Sequence, residues 1–266
     1  MTESEFKQLA AEGYNRIPLV LETFADLDTP LSVYLKLANQ PYTYLLESVV
    51  GGERFGRYSF IGIAAESRLE VRGNECSEFE RGKLKNRKRV DDPLAFIQEY
   101  QGRFKAATQP GLPRFCGGLV GYFGYDTIRY IEKKLRTSAK PDPLGVPDIL
   151  LVLSEQLAVV DNLSGKIFLV VYVDPATAGA YQRGRQRLRE LLEALRRPVT
   201  IPAAPSAAPQ QARSEFGEAP YLKVVEHAKR YIFDGDIMQV VLSQRLTIPF
   251  AADPLDLYRA LRTLNP

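Results

Sequence analysis

Few residues in this chain have the chemistry to act alone. The one histidine, His227, stands between Glu226 and Ala228 with no serine or cysteine partner in a recognisable nucleophile setting, and reads as a surface residue. The two cysteines, Cys76 and Cys116, make no C-x-x-C pair and no Cys/His cluster, so neither a zinc site nor a disulfide framework is indicated. A reducing cytoplasm is the compartment such cysteine usage implies. Gly118, Gly121 and Gly124 recur every third residue, but this is not the G-x-G-x-x-G spacing and no phosphate-binding lysine follows. Glycine within apolar sequence signals close backbone approach or a bulge, read here as core packing between two halves of the fold.

The cations Arg81, Lys83, Lys85, Arg87, Lys88 and Arg89 form the strongest charge run. No aromatic residue interleaves them, and Glu78, Glu80, Asp91 and Asp92 flank them, so a solvated loop between strands is expected rather than a nucleic-acid surface. Two polar spots remain. Gln239 lies in the apolar run 237–248, where an amide can donate and accept hydrogen bonds without titrating. Glu47-Ser48 follows the apolar Tyr44-Leu45-Leu46. By themselves both read as polar groups on the solvent side or end of a strand.

These residues need elements to hold them. Three times a capping side chain, a proline and a leucine occur together: Thr29-Pro30-Leu31, Asp92-Pro93-Leu94 and Asp253-Pro254-Leu255. The side-chain oxygen satisfies free N–H groups, and proline fits the first helical position, where no N–H is required. Helical spacing of apolar residues follows each. Strands are expected over residues 42–50, 58–64 and 68–72, over 149–160 and 166–173 joined by a hairpin loop, and over 237–248. A helix rich in arginine is expected over 174–197, and another over 221–234. Residues 198–211 collapse to Pro, Ala, Thr, Ser and Gln, the composition of a linker. The organisation read from this is a first domain over 1–197, a linker over 198–214, and the start of a second domain over 215–266. Mixed strands and segregated helices indicate α+β. A hydrophobic content of 45% and a net charge of +3 fit an ordinary soluble domain and exclude a membrane span or a nucleic-acid-binding charge. The chain stops at Leu264-Asn265-Pro266, directly after a helical run, which reads as a truncation.

Four segments in order resemble one family. They are Leu45-Leu46-Glu47-Ser48, then Arg57-Tyr58-Ser59-Phe60-Ile61-Gly62, then the glycine-rich stretch 117–126, then 221–245 with Gly235-Asp236 and Gln239-Val240-Val241. Together they resemble the chorismate-binding enzymes: anthranilate synthase, aminodeoxychorismate synthase, isochorismate synthase and salicylate synthase. Within the family the Leu-Leu-Glu-Ser and Arg-Tyr-Ser-Phe-Ile-Gly segments look most like the N-terminal half of anthranilate synthase component I.

The resemblance implies a layered antiparallel β-sheet sandwich with helices on the outside, incomplete in this chain. It implies conversion of chorismate and ammonia to anthranilate and pyruvate in tryptophan biosynthesis, with Mg²⁺ as cofactor and a glutamine amidotransferase subunit as partner and ammonia source. It places the Mg²⁺ ligands and the catalytic histidine beyond residue 266, so no metal ligand is assigned here. Gln239 falls where water-using members carry a lysine base, and its amide suits ammonia as nucleophile. Ser48, Glu47 and Arg57, or Arg54 in its place, are implied to line a tryptophan feedback pocket. The rivals are aminodeoxychorismate synthase component I and a non-catalytic tryptophan-binding module.

Overall fold

The computed structural model describes residues 1–47, 56–136, 142, 144–201 and 210–264. The chain divides into two units, Met1–Ile201 and Pro202–Pro266.

The first unit is built on two five-stranded sheets in which every pairing is antiparallel. Its strands are β1 (Ile17–Phe24), β2 (Tyr44–Leu46), β3 (Tyr58–Gly62), β4 (Ser67–Arg72), β5 (Glu75–Glu80), β6 (Lys83–Arg89), β7 (Gly118–Phe123), β8 (Ile149–Ser154), β9 (Gln156–Asp161) and β10 (Lys166–Val173). The first sheet runs β1-β10-β9-β3-β2 and the second β6-β5-β4-β8-β7. Helices α1 (Glu3–Ala11), α2 (Pro30–Leu37), α3 (Pro93–Gly102), the single turn α4 (Ile128–Ile131) and α5 (Ala180–Leu195) complete it. This is the α+β architecture expected, with helices packed on sheet faces.

Side-chain alternation explains which face each helix covers. Ile17, Leu19, Ile61, Ile167 and Leu169 are buried together with Val33 and Leu37 of α2 and Leu188, Leu191 and Leu195 of α5. Residues of opposite parity, Leu157, Val159 and Val170, face a separate cluster with Phe60, Phe115 and Tyr172. On the second sheet, Leu69, Val71, Cys76, Ile149 and Leu151 pack against Phe96, Ile97 and Tyr100 of α3.

The capping signals hold in detail. Thr29 accepts from the Ser32 N–H at 3.2 Å, and Asp92 accepts from the Leu94 and Ala95 N–H groups at 3.0 Å. Asp253 accepts from the Leu255 N–H at 2.7 Å at the start of the last helix.

Several expectations need correction. The run 149–160 is two strands, β8 and β9, lying in different sheets and separated by Glu155 alone. The polar triplet Ser154-Glu155-Gln156 within this otherwise apolar run is the local mark of the crossing. The cationic run is not a loop: Lys83–Arg89 forms the edge strand β6, exposed along its whole length. Because both its faces are polar, it lacks the alternation that announces a half-buried strand. The helix expected from residue 174 begins at Ala180, since Asp174 folds back to accept from the Ala176 N–H at 2.9 Å and the Thr177 N–H at 3.0 Å. The glycine repeat lies on and just past β7. There the close approach is to β8 of the same sheet: a Cβ on Gly121 would sit 1.9 Å from the Leu150 carbonyl oxygen.

The second unit contains α6 (Glu218–Phe233), α7 (Pro254–Leu264) and a two-residue pairing of β11 (Arg213–Ser214) with β12 (Leu246–Thr247). Residues 202–209 of the expected linker lie outside the described residues, and Arg213 and Ser214, placed in that linker, are a strand. The strand expected over 237–248 is formed only at Leu246–Thr247. β-branched composition supplies propensity, but a ladder needs a neighbouring strand, and none is present alongside 237–245 among the described residues.

Candidate functional site

The sequence-predicted residues fall into both units. In the first unit β2 and β3 pair with Tyr44 opposite Gly62, Leu45 opposite Ile61 and Leu46 opposite Phe60. Tyr44 lies over Gly62, where a Cβ would meet its ring at 2.0 Å. Its hydroxyl is 2.7 Å from the Ser154 hydroxyl, and burial pushes its pKa up to about 12. Glu47 is half-buried directly after β2. Ser48 and Arg54 lie outside the described residues.

Arg57 stands just before β3. Its Nε donates to Asp161 Oδ1 at 3.0 Å and its Nη2 to Asp161 Oδ2 at 2.7 Å, a bidentate pair. The guanidinium also lies 4.9 Å from the centre of the Tyr58 ring. Asp161 is buried and accepts further from the Leu163 and Ser164 N–H groups. The Arg57 hydrogen bond, helped by the two from Ser164 and Leu163, holds its carboxyl well below the usual carboxylate range. Next to it, Asn162 donates to the Gly56 carbonyl and to the buried Ser59 hydroxyl, each at 3.2 Å. Arg57 is thus anchored to the β9–β10 hairpin, and an incoming carboxylate would share its guanidinium with Asp161.

Sequence reasoning missed Asp161, Asn162 and Ser59. Asp161-Asn162 was legible as a turn, but nothing local shows that the turn closes on Arg57. Chemically, this region keeps its groups away from neutral pKa values: Asp161 stays ionised and Tyr44 stays protonated. Such groups orient and bind; they do not relay protons near pH 7.

In the second unit Gln239 is exposed, between Met238 and Val240 in the irregular segment after α6. His227 is exposed on α6, stacked on Tyr231 with ring centres 4.7 Å apart.

A cavity of 460 Å³ beside the second sheet is lined by Arg72, Asn74, Arg129, Tyr130 and Asp148, among others, and by none of the residues singled out above. Arg129 pairs with Asp126 at 2.9 Å, and Asp148 accepts from the Gly73 N–H at 2.6 Å and the Tyr130 hydroxyl at 3.1 Å. Among the described residues no group of three or more His, Cys, Asp or Glu side chains is placed to hold a metal ion. No described helix is long and apolar enough to cross a membrane.

Two antiparallel sheets with helices on their faces, and a polar anchor at the start of β3, define an α+β protein. Residues 41–266 match the family of chorismate binding enzymes, and the chain belongs to that family. It is 54% identical to anthranilate synthase component 1 of Neisseria gonorrhoeae over 100% of this chain and 55% of that protein. It is 54% identical to the Pseudomonas putida protein of the same name, again over 100% of this chain and 55% of the relative. A crystal structure of anthranilate synthase component I from Streptococcus pneumoniae aligns with a TM-score of 0.63 at 26% identity, covering 92% of this chain and 52% of that one. The chain therefore spans about half the length of the relatives it matches.

Proposed function

We propose that this chain is the N-terminal part of a polypeptide that converts chorismate and ammonia to anthranilate and pyruvate. The observation that carries the reading is 54% identity along the whole chain to proteins named anthranilate synthase component 1. In this reading ammonia comes from a glutamine amidotransferase subunit, and tryptophan inhibits through a pocket at the end of β2 involving Ser48, Glu47 and Arg57. Mg²⁺ belongs to the portion of the relatives that this chain does not match. Gln239, an amide where a water-activating amine would be needed for hydrolysis, supports amination. Two free thiols, Cys76 and Cys116, suit a cytoplasmic protein.

The chain alone is proposed to be inactive, because its described residues offer neither a metal cluster nor a proton-transfer pair near Gln239. The test is anthranilate fluorescence with chorismate, ammonia and Mg²⁺. The 266-residue chain should give none, and the chain continued by the unmatched remainder of the Neisseria gonorrhoeae relative should give a tryptophan-inhibited signal. Aminodeoxychorismate as the product of the folded, continued chain would overturn the reading. Tryptophan binding by the chain without turnover in either form would favour a binding module instead.

A further inference from the structure

The two sheets of the first unit meet along a polar seam where β8 ends and β9 begins. Ser154, the last residue of β8, is buried there. Two tyrosine hydroxyls reach across the seam from the first sheet. Tyr44, the first residue of β2, places its hydroxyl 2.7 Å from that of Ser154. Tyr172 of β10 places its hydroxyl 3.2 Å from the sulfur of Cys116, just before β7. The landing points adjoin. Ser154 is opposite Gly118 in the β7–β8 ladder. A Cβ on Gly117 would sit 3.0 Å from the Ser154 carbonyl oxygen and 2.8 Å from the Tyr172 ring.

Of the two tyrosines, Tyr44 is joined to the proposed effector pocket by its own strand. β2 runs from Tyr44 to Leu46 and leads straight into Glu47. It is an edge strand, paired among the described residues with β3 alone. The Tyr44 ring is seated over Gly62, in the space a side chain there would fill, with the Phe115 ring centre 6.5 Å away. A displacement of β2 therefore carries the hydroxyl with it and strains or releases the bond to Ser154. A short strand, a seated ring and one hydrogen bond make a contiguous link of the kind that carries coupling between sites.

We infer that Tyr44, through its hydrogen bond to Ser154, is the positioning residue that transmits occupancy of the effector pocket at the end of β2 to the second sheet. The inference rests on the reading above that tryptophan inhibits through that pocket. It adds the route by which binding in one sheet is felt in the other.

The test uses the chain continued by the unmatched remainder of the Neisseria gonorrhoeae relative. Tryptophan affinity is read by calorimetry, and kcat/KM for chorismate by anthranilate fluorescence with and without saturating tryptophan. Tyr44→Phe should hold tryptophan affinity and uninhibited kcat/KM within about twofold of wild type, while the factor by which tryptophan lowers kcat/KM falls about fivefold, the worth of one hydrogen bond. Ser154→Ala should reproduce that fall, and the double variant should go no further, because both changes remove the same bond. A residue that only stabilised the fold would move inhibited and uninhibited rates alike. If the continued chain does not fold, the remainder is supplied as a separate polypeptide and the same quantities are read. A wild type that is inhibited, with both single variants inhibited to the same degree, overturns the inference and leaves the proposed function standing. Loss of tryptophan affinity in Tyr44→Phe also overturns it, since Tyr44 would then belong to the pocket itself. A folded wild type that makes no anthranilate, or is not inhibited by tryptophan, overturns the proposed function and this inference with it.

Discussion

Arg57 holds Asp161 with both arms of its guanidinium across 104 residues of sequence, fixing the start of β3 to the β9–β10 turn. The carboxylate is buried while the Arg57 side chain keeps 37% of its surface in water. Its pKa is depressed in the folded state, so this group's contribution to stability is present above the unfolded value of about 3.9 and is lost as pH falls toward the folded value. Asp161→Asn keeps the shape but removes the charge. It is expected to cost about 2 kcal/mol at pH 7, less than a fully buried pair because Arg57 is partly solvated. Urea melts from pH 6 to pH 3 should show a steep loss of stability in the wild type and a shallower one in the variant. Parallel pH slopes would remove Asp161 as the anchor.

That pair also marks the limit of what the sequence displays. The proline-headed helices at Pro30, Pro93 and Pro254 were legible because a cap and its N–H partners sit within three residues of one another. The strands Ser67–Arg72 and Lys166–Val173 were legible from local pattern and composition. The crossing at Glu155 was not: the polar triplet Ser154-Glu155-Gln156 interrupts an apolar stretch, and only the assembled sheets show that the chain changes sheet there. β6 was misread because a strand solvated on both faces has the composition of a loop. The segment around Gln239 was misread in the opposite sense, since propensity was present but a pairing strand was not. Of the site, the β2 end was visible in the sequence, whereas Asp161, Asn162 and Ser59 reach it only through long-range strand register.

Gly62 and Tyr44 form a lock between β2 and β3. The ring occupies the space a side chain at 62 would need, and its hydroxyl is tied to Ser154. Gly62→Ala should cost about 1–3 kcal/mol by overpacking. Tyr44→Phe, which loses only the hydrogen bond, should cost about 1 kcal/mol. In a Tyr44→Ala background the same Gly62→Ala change should become nearly silent, because the two residues compete for one space. Additive costs in urea unfolding would show that the ring moves aside freely.

The two thiols should differ in reactivity. Cys76 is 1% exposed beneath α3, and burial pushes its pKa up to about 11. Cys116 is partly exposed, with its sulfur 3.2 Å from the Tyr172 hydroxyl. Thiolate is the nucleophile, so alkylation at pH 8 requires both access and ionisation. Iodoacetamide should label Cys116 at least about tenfold faster than Cys76 under native conditions, with the difference lost in denaturant. Peptide mapping that finds Cys76 labelled first would contradict the packing of the second sheet against α3.

At the crossing between the sheets, Arg16 bonds Glu155 through Nε, reaches Asp174 at 3.3 Å and donates to the Asn15 carbonyl at 2.7 Å. Burial raises the Glu155 pKa, and Arg16 pulls the other way. Removing one partner of such a pair is costly because the other charge stays behind. Arg16→Met should therefore cost toward the lower end of roughly 3–5 kcal/mol at pH 7. A carboxyl with a raised folded pKa binds more protons in the folded than in the unfolded state, so its destabilising effect fades as pH falls through the folded value. The cost of Arg16→Met should shrink between pH 7 and pH 5 as Glu155 takes up a proton. Glu155→Gln should cost less at pH 7, since Arg16 retains Asp174 and the Asn15 carbonyl, and should abolish that pH dependence in the double variant. Equal costs for the two single variants, with no change between pH 7 and pH 5, would mean that the crossing is held by the strands alone and not by this ion pair.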